Sequence, residues 1–254
     1  MKTIYFHGVP GSRHELELLG GNNVDQWSVF DRSKSDGADG TSSFEGRLLG
    51  WAMQADRMAL NGPVRIVGFS LGAFVAIQVA VRMTQRVASI DLVSPAAPLQ
   101  SGAFLDKLAG KAVFRMARDH PRLFNAFSAL QSLAARKIPT VLVKGLFASA
   151  QGADSGLLED KSFSAAMLIN LQEGLGNGLC SYREELRAYV KDWRGDLAEV
   201  KSSVTLWQGT QDNWAIPAMS ESLAIALPVL AGSHLLVGLS HFSTLKYFLQ
   251  QSEM

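Results

Sequence analysis

The stretch Gly68-Phe69-Ser70-Leu71-Gly72 constrains the fold of this 254-residue chain more than any other. A β-branched run, Pro63-Val64-Arg65-Ile66-Val67, leads into it, and the apolar run 73–81 leads out. That order predicts a strand, a tight turn and a buried helix, with a serine at the apex and a glycine two residues to either side. The need for the glycines is steric. A serine pushed out at the tip of so sharp a turn sits in a strained backbone conformation. The positions two before and two after it press against the flanking strand and helix, where a side chain would clash. The serine hydroxyl is left beside a helix N-terminus, whose free backbone N–H groups favour negative charge.

On both sides of this stretch, strand patterns alternate with helix patterns. Residues 3–6 are short, apolar and β-prone, and run into His7-Gly8-Val9-Pro10-Gly11-Ser12, a glycine-rich loop whose backbone amides are available to a ligand. A second strand is expected at 26–30, opening into the polar loop 31–40. Residues 44–60 carry apolar side chains at helical spacing (Leu48, Trp51, Ala52, Ala55, Met58, Ala59), and Asn61-Gly62-Pro63 stops the helix. Residues 87–93 read as another strand, closed by Ser94-Pro95. From about 98 to 201 helix-like segments dominate, with Leu105, Leu108, Val113 and Met116 on one stripe, and Leu123, Phe124, Phe127, Leu130 and Leu133 on the next. Two more helices are expected at 162–173 and 182–193. Thr140-Val141-Leu142-Val143 fits a strand, and periodicity does not decide it. Strand logic returns at 203–207, followed by a helix at 217–227 with proline in its first turn, a short last strand at 235–238 and a final helix at 242–251.

Strands alternating with helices across short loops argue for an α/β protein with a mainly parallel sheet covered on both faces. With 47% hydrophobic residues, the chain has enough apolar material for one sizeable core. The expected organisation is a sheet core formed by 1–97 and 202–254, with a mostly helical insert at 98–201. The apolar content of that insert has two readings: core packing, or a lid lining an apolar substrate pocket. A net charge of +1 without a long basic run excludes the electrostatic footprint of a nucleic-acid binder. No apolar run is long enough for a membrane span. The single cysteine, Cys180, allows no intrachain disulfide, which fits a reducing, cytoplasmic setting. No His/Cys/Asp cluster has metal-ligand spacing, and neither a metal nor a cofactor is expected.

In such sheets ligands bind at the carboxyl ends of the strands, which is where Ser70, Asp212 and His241 all fall. A serine hydroxyl is a weak nucleophile near neutral pH, and needs a base within hydrogen-bond reach and an acid to orient that base. Taken together, His7-Gly8-Val9-Pro10-Gly11, the elbow Gly68-Phe69-Ser70-Leu71-Gly72, Gly209-Thr210-Gln211-Asp212 with Pro217 downstream, and His241 near the end make the whole chain resemble an α/β-hydrolase-fold protein. The resemblance implies Ser70 as nucleophile, His241 as general base and acid, and Asp212 as the orienting carboxylate. It also implies an oxyanion hole made by the backbone N–H groups of Val9 and Leu71; Pro10 has no N–H to give. Relatives of this fold carry two further strands before the His-Gly loop. Here that loop starts at residue 7, so a six-stranded sheet is expected.

The other ionisable candidates have plainer readings. His7 is read as structural, holding its loop, and His14, His120 and His234 as solvated or packed. Asp91 lies inside a strand, Asp31 and Asp36 in a solvated loop, and Cys180 has no histidine partner nearby in sequence. A serine in place of an aspartate argues against dehalogenase and epoxide-hydrolase chemistry and suits acyl transfer to water. The leading expectation is hydrolysis of a carboxylic ester or thioester through an acyl-enzyme. C–C bond hydrolysis or a lyase reaction by the same groups stays open, as does a non-catalytic ligand receptor on the same fold. The expected partner is a small-molecule acyl substrate, flanked by Phe69, Trp214 and Phe242; oligomeric state is not legible.

Overall fold

The computed structural model describes residues 1–19, 26–33 and 43–251. Its strands are β1 (Lys2–Phe6), β2 (Ser28–Val29), β3 (Val64–Phe69), β4 (Val87–Val93), β5 (Ser203–Gly209) and β6 (Leu230–Leu236). They form one six-stranded, all-parallel sheet in the order β2-β1-β3-β4-β5-β6. The helices are α1 (Phe44–Ala59), α2 (Leu71–Ala80), α3 (Lys111–Asp119), α4 (Pro121–Lys137), α5 (Pro139–Phe147), α6 (Lys161–Leu171), α7 (Leu179–Tyr189), α8 (Arg194–Ala198), α9 (Pro217–Ala226) and α10 (His241–Gln251).

The period of two along each strand sorts side chains onto two faces. Ile4, Phe6, Ile66, Ile90, Leu92, Val204 and Leu206 share a core with Leu48 of α1, Phe74 of α2 and Met219 of α9. Tyr5, Val67, Phe69 and Val93 share the opposite core with Leu245 and Phe248 of α10, and with Leu16 of the 3-10 segment Arg13–Leu19. Both faces are therefore covered, as a parallel sheet requires. β1 has β2 on one side and β3 on the other, so the chain's direction of winding reverses between β1 and β3. The register pairs Phe6 with Gly68, which brings the loop after β1 and the turn after β3 out of the sheet at the same level. A crevice at the carboxyl ends of such a pair is the ligand position of open α/β sheets.

Several expectations are corrected by packing. Of the strand expected at 26–30, Ser28 and Val29 form the strand beside β1, and Phe30 N–H donates to the Tyr5 carbonyl at 3.0 Å just past its end. The undecided segment at 140–143 is helical, inside α5, with Pro139 in its first turn and only Val143 of the helix fully buried. The last strand begins at Leu230, ahead of the expected 235. It lies at the sheet edge with most side chains exposed, so it lacks the alternation that marks a buried strand. On α4 the expected apolar stripe is split: Phe124 is buried and Phe127 half-buried, but Leu123, Leu130 and Leu133 face outward, each more than half exposed. The buried side is Phe124, Ser128, Ser132 and Ala135. The Ser132 hydroxyl donates to the carbonyl of Gly176 at 3.1 Å, and Ser128 accepts from Arg183 Nε at 2.7 Å. Small side chains that carry their own hydrogen-bond partners let α4 sit close to the segment Gln172–Asn177. Asp31 is not solvated: it is half-buried and accepts from the Ser33 hydroxyl at 2.6 Å. Asp36 and the rest of 34–40 lie outside the described residues.

Candidate active site

Ser70 links β3 to α2 with φ 57° and ψ −126°, a conformation that side-chain-bearing residues rarely adopt. Its backbone is pinned from both directions. Its N–H donates to the Val93 carbonyl at 3.0 Å, and its carbonyl accepts from Ala73 and Ala96. The bracketing glycines have the expected cause. A Cβ on Gly68 would lie 2.7 Å from the Gly72 carbonyl oxygen, and one on Gly72 would overlap the carbonyls of Phe6 and His7. Gly72 thus lets α2 lie directly against the end of β1, bringing the Gly8-Val9 loop beside the first turn of α2. Val9 and Leu71 both line the cavity that Ser70 lines.

Asp212 and His241 leave the ends of β5 and of the loop after β6. Asp212 Oδ1 accepts from the backbone N–H groups of Trp214 at 2.8 Å and Ala215 at 2.9 Å. Its Oδ2 lies 2.8 Å from His241 Nδ1. A carboxylate only accepts, so Nδ1 carries the ring proton and Nε2 keeps its lone pair. Burial pulls the His241 pKa down. The charge and hydrogen bond of Asp212, joined by the charges of Asp154 and Glu15, outweigh it, and the net shift is upward from 6.5. His241 and Ser70 line the same cavity, both less than 9% exposed.

His241 is also the first residue of α10, whose opening turn is held by a carboxylate from far away in sequence. Asp154 Oδ2 accepts from Phe242 N–H and Oδ1 from Ser243 N–H, each at 2.8 Å. Burial raises the Asp154 pKa, against the lowering effect of these bonds. Replacing Asp154 by Ala leaves two N–H groups without acceptors in a place closed to water. We expect the urea midpoint to fall by the equivalent of about 1–3 kcal/mol. An unchanged midpoint would remove Asp154 from the account of how His241 is held.

The cavity encloses about 110 Å³. Phe69, Trp214 and Phe242, expected near the substrate, all line it, and the Phe69 ring centre is 4.7 Å from that of His241. Much of the remaining wall comes from the block between β4 and β5, including Phe114, Leu146, Phe147, Met167 and Leu186. The lining side chains with polar groups are Ser70, His241, Glu15, Gln131, Tyr182 and the indole of Trp214. Among the described residues no lysine or arginine lines the cavity. Among the described residues no group of three His, Cys, Asp or Glu side chains gathers to hold a metal ion, and no helix is long and apolar enough to cross a membrane.

Sequence reasoning missed Glu15, Asp154 and Arg32. Glu15 is 1% exposed and accepts from Tyr5 and from Gly8 N–H. Arg32, 1% exposed, pairs with Glu185 at 3.0 Å and donates to the His7 carbonyl at 2.7 Å. His7 itself accepts from Arg32 N–H through Nε2 at 2.9 Å and has Nδ1 2.7 Å from the Gly8 carbonyl, so the ring is neutral and bound into its loop. Burial, then the Arg32 charge, lowers its pKa well below 6.5. Asp91 is absorbed by Arg65 at 2.7 Å and Trp207 Nε1 at 3.0 Å. Arg32 and Asp154 have partners far away in sequence, and Glu15 meets its partners Tyr5 and Gly8 only through the folding of the loop between β1 and the 3-10 segment.

No protein-family model and no curated protein sequence matches the chain. Solved structures do match over its full length. A thermophilic esterase from Thermogutta terrifontis superposes with a TM-score of 0.69 at 14% identity, over 100% of this chain and 87% of that one. MenH from S. aureus gives 0.64 at 13% identity, over 100% and 95%. An enol-lactonase from Burkholderia xenovorans LB400 gives 0.63 at 16% identity, over 99% and 89%. At such identities the likeness speaks for architecture alone, and with the all-parallel sheet, the strained turn after β3 and the helices on both faces it leads to one conclusion: this chain has the α/β-hydrolase fold.

Proposed function

We propose that the protein is a serine hydrolase that cleaves a carboxylic ester or thioester. The observation that carries the proposal is the Asp212–His241 bond of 2.8 Å, with the other carboxylate oxygen held by two backbone amides, in the cavity that the strained Ser70 also lines. That arrangement favours one imidazole tautomer and leaves Nε2 free as a base. His241 Nε2 takes the Ser70 proton as Oγ bonds to the substrate carbonyl carbon. The carbonyl oxygen becomes an oxyanion, held by the N–H groups of Val9 and Leu71. As the C–O or C–S bond to the leaving group breaks, His241 returns the proton to that group. Water then repeats the sequence on the acyl-Ser70 ester: His241 accepts a water proton, the Oγ–C bond breaks, and the acid leaves as Ser70 regains its proton. Oxyanion donors of this kind are worth about 3–4 kcal/mol each in a protease.

The cavity limits the acyl group. A space of roughly 150 Å³ takes a benzene ring, so about 110 Å³ favours a short or compact acyl group. The apolar wall, without a lysine or arginine among the described residues, favours an uncharged one. Labelling with a fluorophosphonate probe, followed by mass spectrometry of the modified peptide, tests the reading. We expect a single adduct on Ser70. A folded protein that takes up no probe, or takes it up elsewhere, would overturn the assignment.

A further inference from the structure

Glu15 lines the cavity, yet the mechanism above gives it nothing to do. It is 1% exposed, in the 3-10 segment Arg13–Leu19 beneath the loop that carries Val9. Its Oε1 accepts from the Tyr5 hydroxyl at 2.7 Å and from Gly8 N–H at 2.8 Å; among the described residues its Oε2 has the longer, shared contact to the same N–H at 3.0 Å. Oε1 is thus occupied as an acceptor and Oε2 is the oxygen with room for a proton. Gly8 is the residue before Val9, so the carboxyl grips the peptide next to one of the two N–H groups assigned to the oxyanion.

We propose that Glu15 is a positioning residue of this site, which holds the Gly8-Val9 loop for the oxyanion and does so productively only as the neutral acid. The proposal rests on the serine-hydrolase reading. A neutral carboxyl keeps the grip on Gly8 without adding charge. A carboxylate would set a second negative charge one peptide from the developing oxyanion, in a space whose described wall carries no lysine or arginine, the nearby Arg32 being paired with Glu185. The groups facing Glu15 are Tyr5 from β1, Arg32 after β2 and His241 at the start of α10, and the α6 residues on the cavity wall, Met167 and Leu171, are uncharged. Burial raises the Glu15 pKa, against the lowering effects of Tyr5, Gly8, Arg32 and His241, and leaves it pushed up to about 7. The charge therefore appears as pH rises through neutrality, and reactivity falls in the same direction. On the acid side reactivity rises as His241 loses its proton, above 6.5 because its pKa is raised.

The test is the rate of fluorophosphonate modification of Ser70 from pH 5 to 9, in the full chain and in Glu15→Gln, each normalised to its own value at pH 6. Gln keeps an acceptor for Tyr5 and Gly8 but cannot ionise. Loss of the His241 proton raises both rates over this interval, so the effect is read in their ratio: the normalised rate of the unsubstituted protein relative to that of Glu15→Gln should fall about tenfold or more between pH 6 and 9. Infrared difference spectra of the two proteins read the carboxyl directly; its protonated carbonyl band should vanish with a midpoint near neutrality. An alkaline fall shared by both proteins, absent from both, or a band that vanishes well below neutrality would overturn the role of Glu15 while Ser70 stays labelled. Absence of labelling at every pH would instead overturn the reading of Ser70.

Discussion

Replacing Ser70 by Ala should lower turnover of an ester substrate by about five to six orders of magnitude, the loss seen when a serine protease is stripped of its nucleophile. The fold should survive. The bonds that pin residue 70 are made by its backbone, to Val93, Ala73 and Ala96, and none needs the hydroxyl. Ser70→Gly should be as inactive but more stable than Ser70→Ala, by about 1–2 kcal/mol, because φ 57° with ψ −126° strains any residue with a Cβ. Activity assays and urea unfolding of the pair separate the two roles of this position. Turnover retained in pure Ser70→Ala protein would sink the nucleophile assignment. Equal unfolding midpoints for Ala and Gly would show that the turn stores no strain.

Asp212→Asn should cost about four orders of magnitude in kcat, with an unfolding midpoint close to that of the unsubstituted protein. The reason lies in which oxygen is already committed. Oδ1 serves Trp214 and Ala215, so an asparagine must put its own oxygen there to avoid two buried donors facing an NH₂ group. Its amide nitrogen is then forced toward His241 Nδ1, which must become an acceptor. The ring proton moves to Nε2, and the lone pair that should receive the Ser70 proton is gone. Loss of less than tenfold in kcat would mean that Asp212 does not set the tautomer.

The strand-turn-helix around Ser70 was legible because its causes are local. A β-branched run, two glycines and an apolar helix occupy 19 consecutive positions, and the contacts that demand glycine at 68 lie within that unit, though those at Gly72 come from the end of β1. Asp212 and His241 were legible for a similar reason: each follows a strand signal, and the ends of parallel strands share one edge of the sheet. The α4 stripe misled because Leu123, Leu130 and Leu133 have the right spacing but the wrong side. Which face of a helix is buried depends on what lies opposite, and here Arg183 and Gly176 make Ser128 and Ser132 the better inner surface. The edge strand β6 was seen late because exposure on its free side removes the alternation that marks a strand.

By itself the sequence determined the α/β class, the position of the strained serine turn and the three side chains that end at one edge of the sheet. Each follows from short-range sterics or from the period of an element. Only the tertiary structure decided that the carboxylate of Asp212 turns one oxygen to His241 and the other to two amides, that Asp154 closes the first turn of α10, and that Glu15 grips Gly8 from beneath. Those are contacts between buried polar groups brought together from separate elements. Their energetics depend on who the partner is and on how much water is excluded, and neither is written in the spacing of the residues along the chain.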